Sequence, residues 1–120
     1  MNLTGTYYNE QIPPAILTIL EADNSTGELR GTLAWGDEKH GFPVTGHYGQ
    51  QREGEANGDG LVFISFSGYN DFRFYQSWAG YAQNEFDYGL WTTEGVEVEL
   101  AKDGNPQLTP LPLTSWKRRS

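Results

Sequence analysis

Leu61-Val62-Phe63-Ile64-Ser65-Phe66-Ser67-Gly68-Tyr69-Asn70-Asp71-Phe72-Arg73-Phe74-Tyr75-Gln76-Ser77-Trp78-Ala79-Gly80-Tyr81-Ala82 is the most aromatic part of this chain. It reads as two strands joined by a turn. Successive side chains of a strand point to opposite faces, so Leu61, Phe63 and Ser65 share one side and Val62, Ile64 and Phe66 the other. Both sides are largely apolar, which predicts a strand covered on both, as in a barrel or at a subunit interface. Ser67 to Asp71 supplies Ser, Gly, Asn and Asp, the residues of tight turns. A second strand then carries Phe72, Phe74 and the Trp78-Ala79-Gly80-Tyr81 run.

Outward from this hairpin the same grammar repeats. Leu3 to Asn9 is β-rich, and Pro13-Pro14 ends it because proline cannot donate to a ladder. Ala15 to Leu20 is an apolar run of strand length, and Ala22 to Gly27 has turn composition. Glu28 to Trp35 alternates, with Gly31 marking a kink or bulge. A charged loop leads into Phe42 to Tyr48, and a Gly-rich loop from Gly49 to Gly60 precedes the hairpin. Beyond it, Phe86 to Thr93 and Val96 to Leu100 read as further strand segments. In the latter, Val96, Val98 and Leu100 are expected inward and Glu97 and Glu99 outward. Asp103 to Pro106 is a turn, and Leu111 to Lys117 closes the chain. No segment has a helical period. Short strands at spacings of roughly 8–12 residues predict an all-β fold, an antiparallel barrel or sandwich.

The 120 residues suit one domain, expected to span 1–120. The formal net charge of −8 disfavours nucleic acid as a partner. Lys117-Arg118-Arg119 is the exception and reads as a solvated tail. No apolar run approaches a membrane span, and the opening residues lack signal-peptide features; localisation stays open. The chain has no cysteine, which excludes disulfides, thiol catalysis and cysteine-ligated zinc. His40 and His47 lack metal-ligand spacing, and no metal or cofactor is expected. Ser65, Ser67 and Ser77 lack a nucleophile elbow. Asp71, Glu85 and Asp87 are the carboxylates available for acid–base work, whereas Glu97 and Glu99 are explained as a solvated strand face.

The aromatic set carries the functional signal. Trp35, Phe66, Trp78 and Trp91 fall in or near strands that a closed sheet would bring together. Aromatics usually fill a core, but four such residues in a small barrel also suit a box for a flat or apolar molecule.

In order, these segments resemble the avidin and streptavidin family. Leu3-Thr4-Gly5-Thr6-Tyr7-Tyr8-Asn9 is similar to that family's L-T-G-x-W/Y-x-N, and Gly27 to Thr32 to its G-x-x-x-G-T/K. Pro43 to Tyr48 resembles the following strand. Ser77-Trp78-Ala79-Gly80 resembles T-W-S-G, and Leu90-Trp91-Thr92-Thr93 a later Trp-bearing strand. The resemblance spans residues 3 to about 93. It implies an eight-stranded antiparallel up-and-down β-barrel, a homodimer or homotetramer, binding biotin at the open end without catalysis.

Position by position, Asn9 matches the asparagine that bonds the ureido oxygen. Trp78 and Trp91 match two ligand-walling tryptophans, and Phe66 replaces a third. The family's loop serine falls near Pro13, its tyrosine at Leu33 and the nearby serine around Trp35. The two hydroxyls before T-W-S-G fall near Phe74 and Gln76, and Thr114 is nearest to the last-strand aspartate. The ligand-binding set is therefore Asn9, Trp35, Phe66, Gln76, Trp78 and Trp91. The aromatic box is kept better than the polar set, so biotin affinity is expected to be reduced or the pocket adapted to another small ligand. Two further readings stay open: a barrel isomerase or cyclase using Asp71, Asp87 or Glu85, and a carbohydrate-binding module stacking sugars on Trp35 and Tyr69.

Overall fold

The computed structural model describes residues 2–9, 14–36, 41–50, 61–70, 74–82, 89–100 and 103–119. Eight strands make up the fold: β1 (Gly5–Tyr8), β2 (Ala15–Ala22), β3 (Glu28–Trp35), β4 (Phe42–Gln50), β5 (Val62–Asn70), β6 (Phe74–Ala82), β7 (Leu90–Leu100) and β8 (Pro106–Arg118). Each pairs antiparallel with its sequence neighbours, and β1 pairs with β8 to close the barrel. The expected all-β, eight-stranded, up-and-down architecture is the one observed.

The β5–β6 hairpin forms where its alternation places it. Val62, Ile64 and Phe66 are buried and face Ala82, Gly80 and Trp78 across the ladder. Fully burying such side chains contributes about 1.5–3 kcal/mol each. β5 continues through Ser67 to Asn70, so these residues are strand where composition suggested a turn; Asp71, Phe72 and Arg73 fall outside the described residues. Among the described residues the outer side of β5 is left open, with Phe63 56% and Tyr69 55% exposed.

Gly68 faces inward opposite Gln76. A Cβ there would stand 2.5 Å from Val44 Cγ1 and 2.8 Å from Phe42 Cε2, so glycine makes room for the Phe42 ring. At the β2–β3 turn, Gly27 adopts φ 77°, where side chains are disfavoured. Its N–H donates to Asp23 O at 2.8 Å, and the Asp23 carboxylate accepts from Ser25 N (2.8 Å) and Ser25 Oγ (2.6 Å). The irregularity expected near Gly31 is present: register shifts between Ile19 and Glu21, opposite Gly31 and Arg30.

The last third departs most from expectation. One continuous strand, β7, joins the described part of the segment read from Phe86 to the one read from Val96, with Phe86, Asp87 and Tyr88 outside the described residues, and β8 starts at Pro106 rather than Leu111. The facing of Val96 to Glu99 is the reverse of that expected. Gly95, Glu97 and Glu99 pair with Trp78, Gln76 and Phe74, so they share the inner side. Val96 and Val98 pair with Ser77 and Tyr75 on the outer side. An extra residue in β8 near Pro112 lets Leu111, Thr114 and Trp116 all face inward.

Closure rests on few backbone pairs, Tyr7 with Arg118 and Tyr8 with Lys117. Side chains reinforce it. The Arg118 guanidinium donates to Tyr7 Oη at 2.7 and 3.1 Å and to Asn2 O at 2.7 Å, and Arg119 donates to Tyr8 Oη. The basic end is thus partly a latch rather than a solvated tail. Tyr7 stacks on Trp91 at 4.0 Å and donates to Leu3 O at 2.7 Å.

Candidate functional site

Beside the ends of β1 and β3 and the start of β6, the barrel holds a cavity of about 320 Å³, in the size range of small-molecule sites. Its walls are Trp35 at the end of β3 and Phe74 and Trp78 on β6, with Leu111 and Pro112 of β8 opposite. Asn9 and Ala15 contribute from either side of the β1–β2 loop, and Gln76 and Glu97 supply the remaining polar groups.

Two ring clusters hold these walls. Trp35 stacks on Phe42 at 5.8 Å, and Phe74 meets both edge-on at 6.0 and 5.7 Å. Behind Trp78, Phe66 stacks at 6.2 Å and Trp116 packs edge-on at 5.7 Å. Edge-on and offset arrangements of this kind are the favoured aromatic pairings. The buried Trp116 Nε1 donates to Thr93 Oγ1 at 2.9 Å, which fixes the ring behind the cavity.

The polar groups are oriented. Asn9, 5% exposed, accepts from Ala15 N through Oδ1 at 2.7 Å, so its amide nitrogen is the donor end. Gln76, 3% exposed, donates through Nε2 to Glu97 at 2.9 Å and accepts from Trp78 Nε1 at 3.4 Å. One amide thus links an indole to a carboxylate.

Of the residues singled out in the sequence, Asn9, Trp35, Gln76 and Trp78 come together around this cavity. Phe66 is buried behind Trp78 and supports it without lining the space. Trp91 is fully buried against Tyr7 and does not line it either. Leu33 is core, and the Thr114 hydroxyl is turned to Pro112 O at 2.8 Å. Tyr69 lies on the outer face, away from Trp35, so the pair proposed for sugar stacking is not assembled. Pro13, His40, Asp71, Glu85 and Asp87 lie outside the described residues. Among the described residues no group of three potential metal ligands occurs.

Sequence reasoning missed Phe74, Glu97, Ala15, Leu111 and Pro112 as lining residues. Glu97 had a usable signal. Counting in twos from an inward Trp91 gives Thr93, Gly95 and then Glu97 on the inner side. The isolated Val-Glu-Val-Glu-Leu pattern suggests the opposite face only if its valines are assumed to seek the core.

The fold belongs to the small closed antiparallel barrels of eight strands. More narrowly it is avidin-like: the chain is similar to the bradavidin2–biotin complex with a TM-score of 0.70, over 100% of both chains, at 13% sequence identity. No family model and no curated protein matches the sequence.

Proposed function

We propose that this protein is a non-catalytic, single-domain small-molecule binder of the avidin type, with no cofactor, that holds biotin in the cavity at the barrel end. The observation that carries this reading is the aromatic cavity itself, walled by Trp35, Phe74 and Trp78 with the oriented amide of Asn9 at its rim. Bradavidin2, which shares the fold, forms a complex with biotin, and this makes biotin the first ligand to test.

Affinity should fall well short of the tightest biotin complexes. The positions that resemble hydroxyl-bearing ones hold Leu33, Trp35, Phe74 and Gln76. Each ligand polar group left without a partner costs about 1–3 kcal/mol. Calorimetry and tryptophan fluorescence with biotin test the reading. Micromolar binding with a change in Trp emission, weakened at least tenfold by Trp78→Ala, is the expected result. An absence of heat and emission change at millimolar biotin would remove biotin as the ligand.

The outer face of β5 to β8 supports self-association as a homodimer or homotetramer. Phe63 pairs with Tyr81, and Tyr69, Tyr75, Val98 and Leu108 form a second row across four strands. Leu108 is 72% exposed in the single chain. Contiguous apolar patches of this kind mark interaction sites.

A further inference from the structure

We propose that Glu97 sets the ligand class of the cavity: it selects a ring-bearing molecule that offers N–H donors and carries no carboxylate anywhere on it. The inference rests on the cavity being the binding site proposed above. It deepens that reading by distinguishing an anionic ligand, such as free biotin acid, from its neutral or cationic derivatives.

Glu97 faces inward because its place in β7 is opposite the buried Gln76. The Gln76 amide is held at both ends, by Trp78 Nε1 on its oxygen and by the Glu97 carboxylate on its nitrogen. Gln76 spends one of its two amide N–H donors on Glu97, and the carboxylate is the strong acceptor of the cavity. An ionised carboxylate has about four lone-pair sites, and Gln76 takes one. Among the described residues, Glu97 has no cationic partner, while Trp35, Phe74 and Trp78 present rings to the same space. Ring faces and a carboxylate together attract ammonium, amidinium or ureido N–H groups and repel a second carboxylate. A net charge of −8 on the chain acts in the same direction.

Calorimetry on the full chain tests this with two ligand pairs of matched rings: biotin against biotinamide, and indole-3-propionate against tryptamine. Each pair is titrated against the natural chain, Glu97→Gln, and Glu94→Gln, which removes the same charge from an exposed outer position. The natural chain should bind biotinamide at least tenfold tighter than biotin, and tryptamine at least tenfold tighter than indole-3-propionate. In Glu97→Gln both ratios should fall to within about twofold, whereas Glu94→Gln should keep them. Circular dichroism and melting verify that the variants are folded.

Equal binding of acid and amide, or a preference that survives Glu97→Gln, overturns the proposal and leaves the biotin reading intact. If both biotin forms fail but the tryptamine preference appears and depends on Glu97, the biotin reading fails and this one stands. If none of the four ligands binds, both fail.

Discussion

Tyr7 shows how much one side chain carries here. Its ring stacks on Trp91, its hydroxyl donates to Leu3 O, and the same oxygen accepts from Arg118. Replacing it with Phe keeps the stack but removes the donor to Leu3 O and leaves Arg118 with its bond to Asn2 O, for an expected loss of about 1–3 kcal/mol by denaturant titration. Burial, opposed by the nearby Arg118, raises the Tyr7 pKa above its ordinary value. A raised folded pKa means stability that is complete below the unfolded value near 10 and lost as pH rises through the folded one. Alkaline destabilisation starting above about pH 10 should therefore be smaller in Tyr7→Phe. Gly68→Ala is the opposite kind of change, because its Cβ would meet Val44 Cγ1 at 2.5 Å and Pro43 O at 2.7 Å. Overpacking of this sort costs about 1–3 kcal/mol. By pushing Phe42 toward Trp35 it should also weaken ligand binding, measured beside the melting temperature.

At the scale of elements, legibility followed hydrophobic alternation. β5 and β6 were readable because Val62, Ile64, Phe66, Trp78 and Ala82 keep the two-residue period of one strand face, even though Phe63, Tyr75 and Tyr81 make the other face apolar too. β7 was not, because its outer Val96 and Val98 are apolar while its inner Glu97 borders a cavity. β8 hid for a related reason: Pro106, Pro110 and Pro112 argue against a central strand. Among the described residues, β8 beyond its two pairs with β1 is bonded on one side only, to β7. Pro106 and Pro110, four residues apart, lack their N–H groups on the same side of the strand. The register with β7 runs through both, so that side is the unpaired edge, where proline blunts further strand addition. Substituting both by Thr should restore donors there and raise concentration-dependent association, read by light scattering. The turns are more legible. Asp23 is held below the usual carboxylate range by hydrogen bonds from the Ser25 hydroxyl and backbone N–H, and Asp103 by those from the backbone and side chain of Asn105. A lowered folded pKa means stability present above the unfolded value near 4 and lost as pH falls through the folded one. Asp23→Ala should thus lower the melting temperature at pH 7, and the difference should vanish near pH 2.

For the whole molecule, two features oppose each other. Every copy carries a net charge of −8, which repels another copy. Every copy also exposes the apolar outer face of β5 to β8, with Phe63, Tyr69 and Leu108 more than half exposed. Apolar residues on both sides of Leu61 to Phe66 predict a strand covered on both faces. One chain covers only the inner side, so the outer side is where the proposed partner copy would rest. Screening by salt weakens charge repulsion and leaves apolar burial in place. Association should accordingly tighten between about 0.05 and 0.5 M salt, the reverse of an interface held by ion pairs. Tyr75 and Leu108 lie in one cross-strand row on either side of Val98, so Tyr75→Lys with Leu108→Lys would place two charges within it. Light scattering coupled to size exclusion should give two or four times 13.5 kDa for the natural chain and 13.5 kDa for the double variant, with the melting transition retained. A natural chain that stays at the single-chain mass in high salt would remove the oligomer from the proposal and leave the cavity and its ligand to be judged alone.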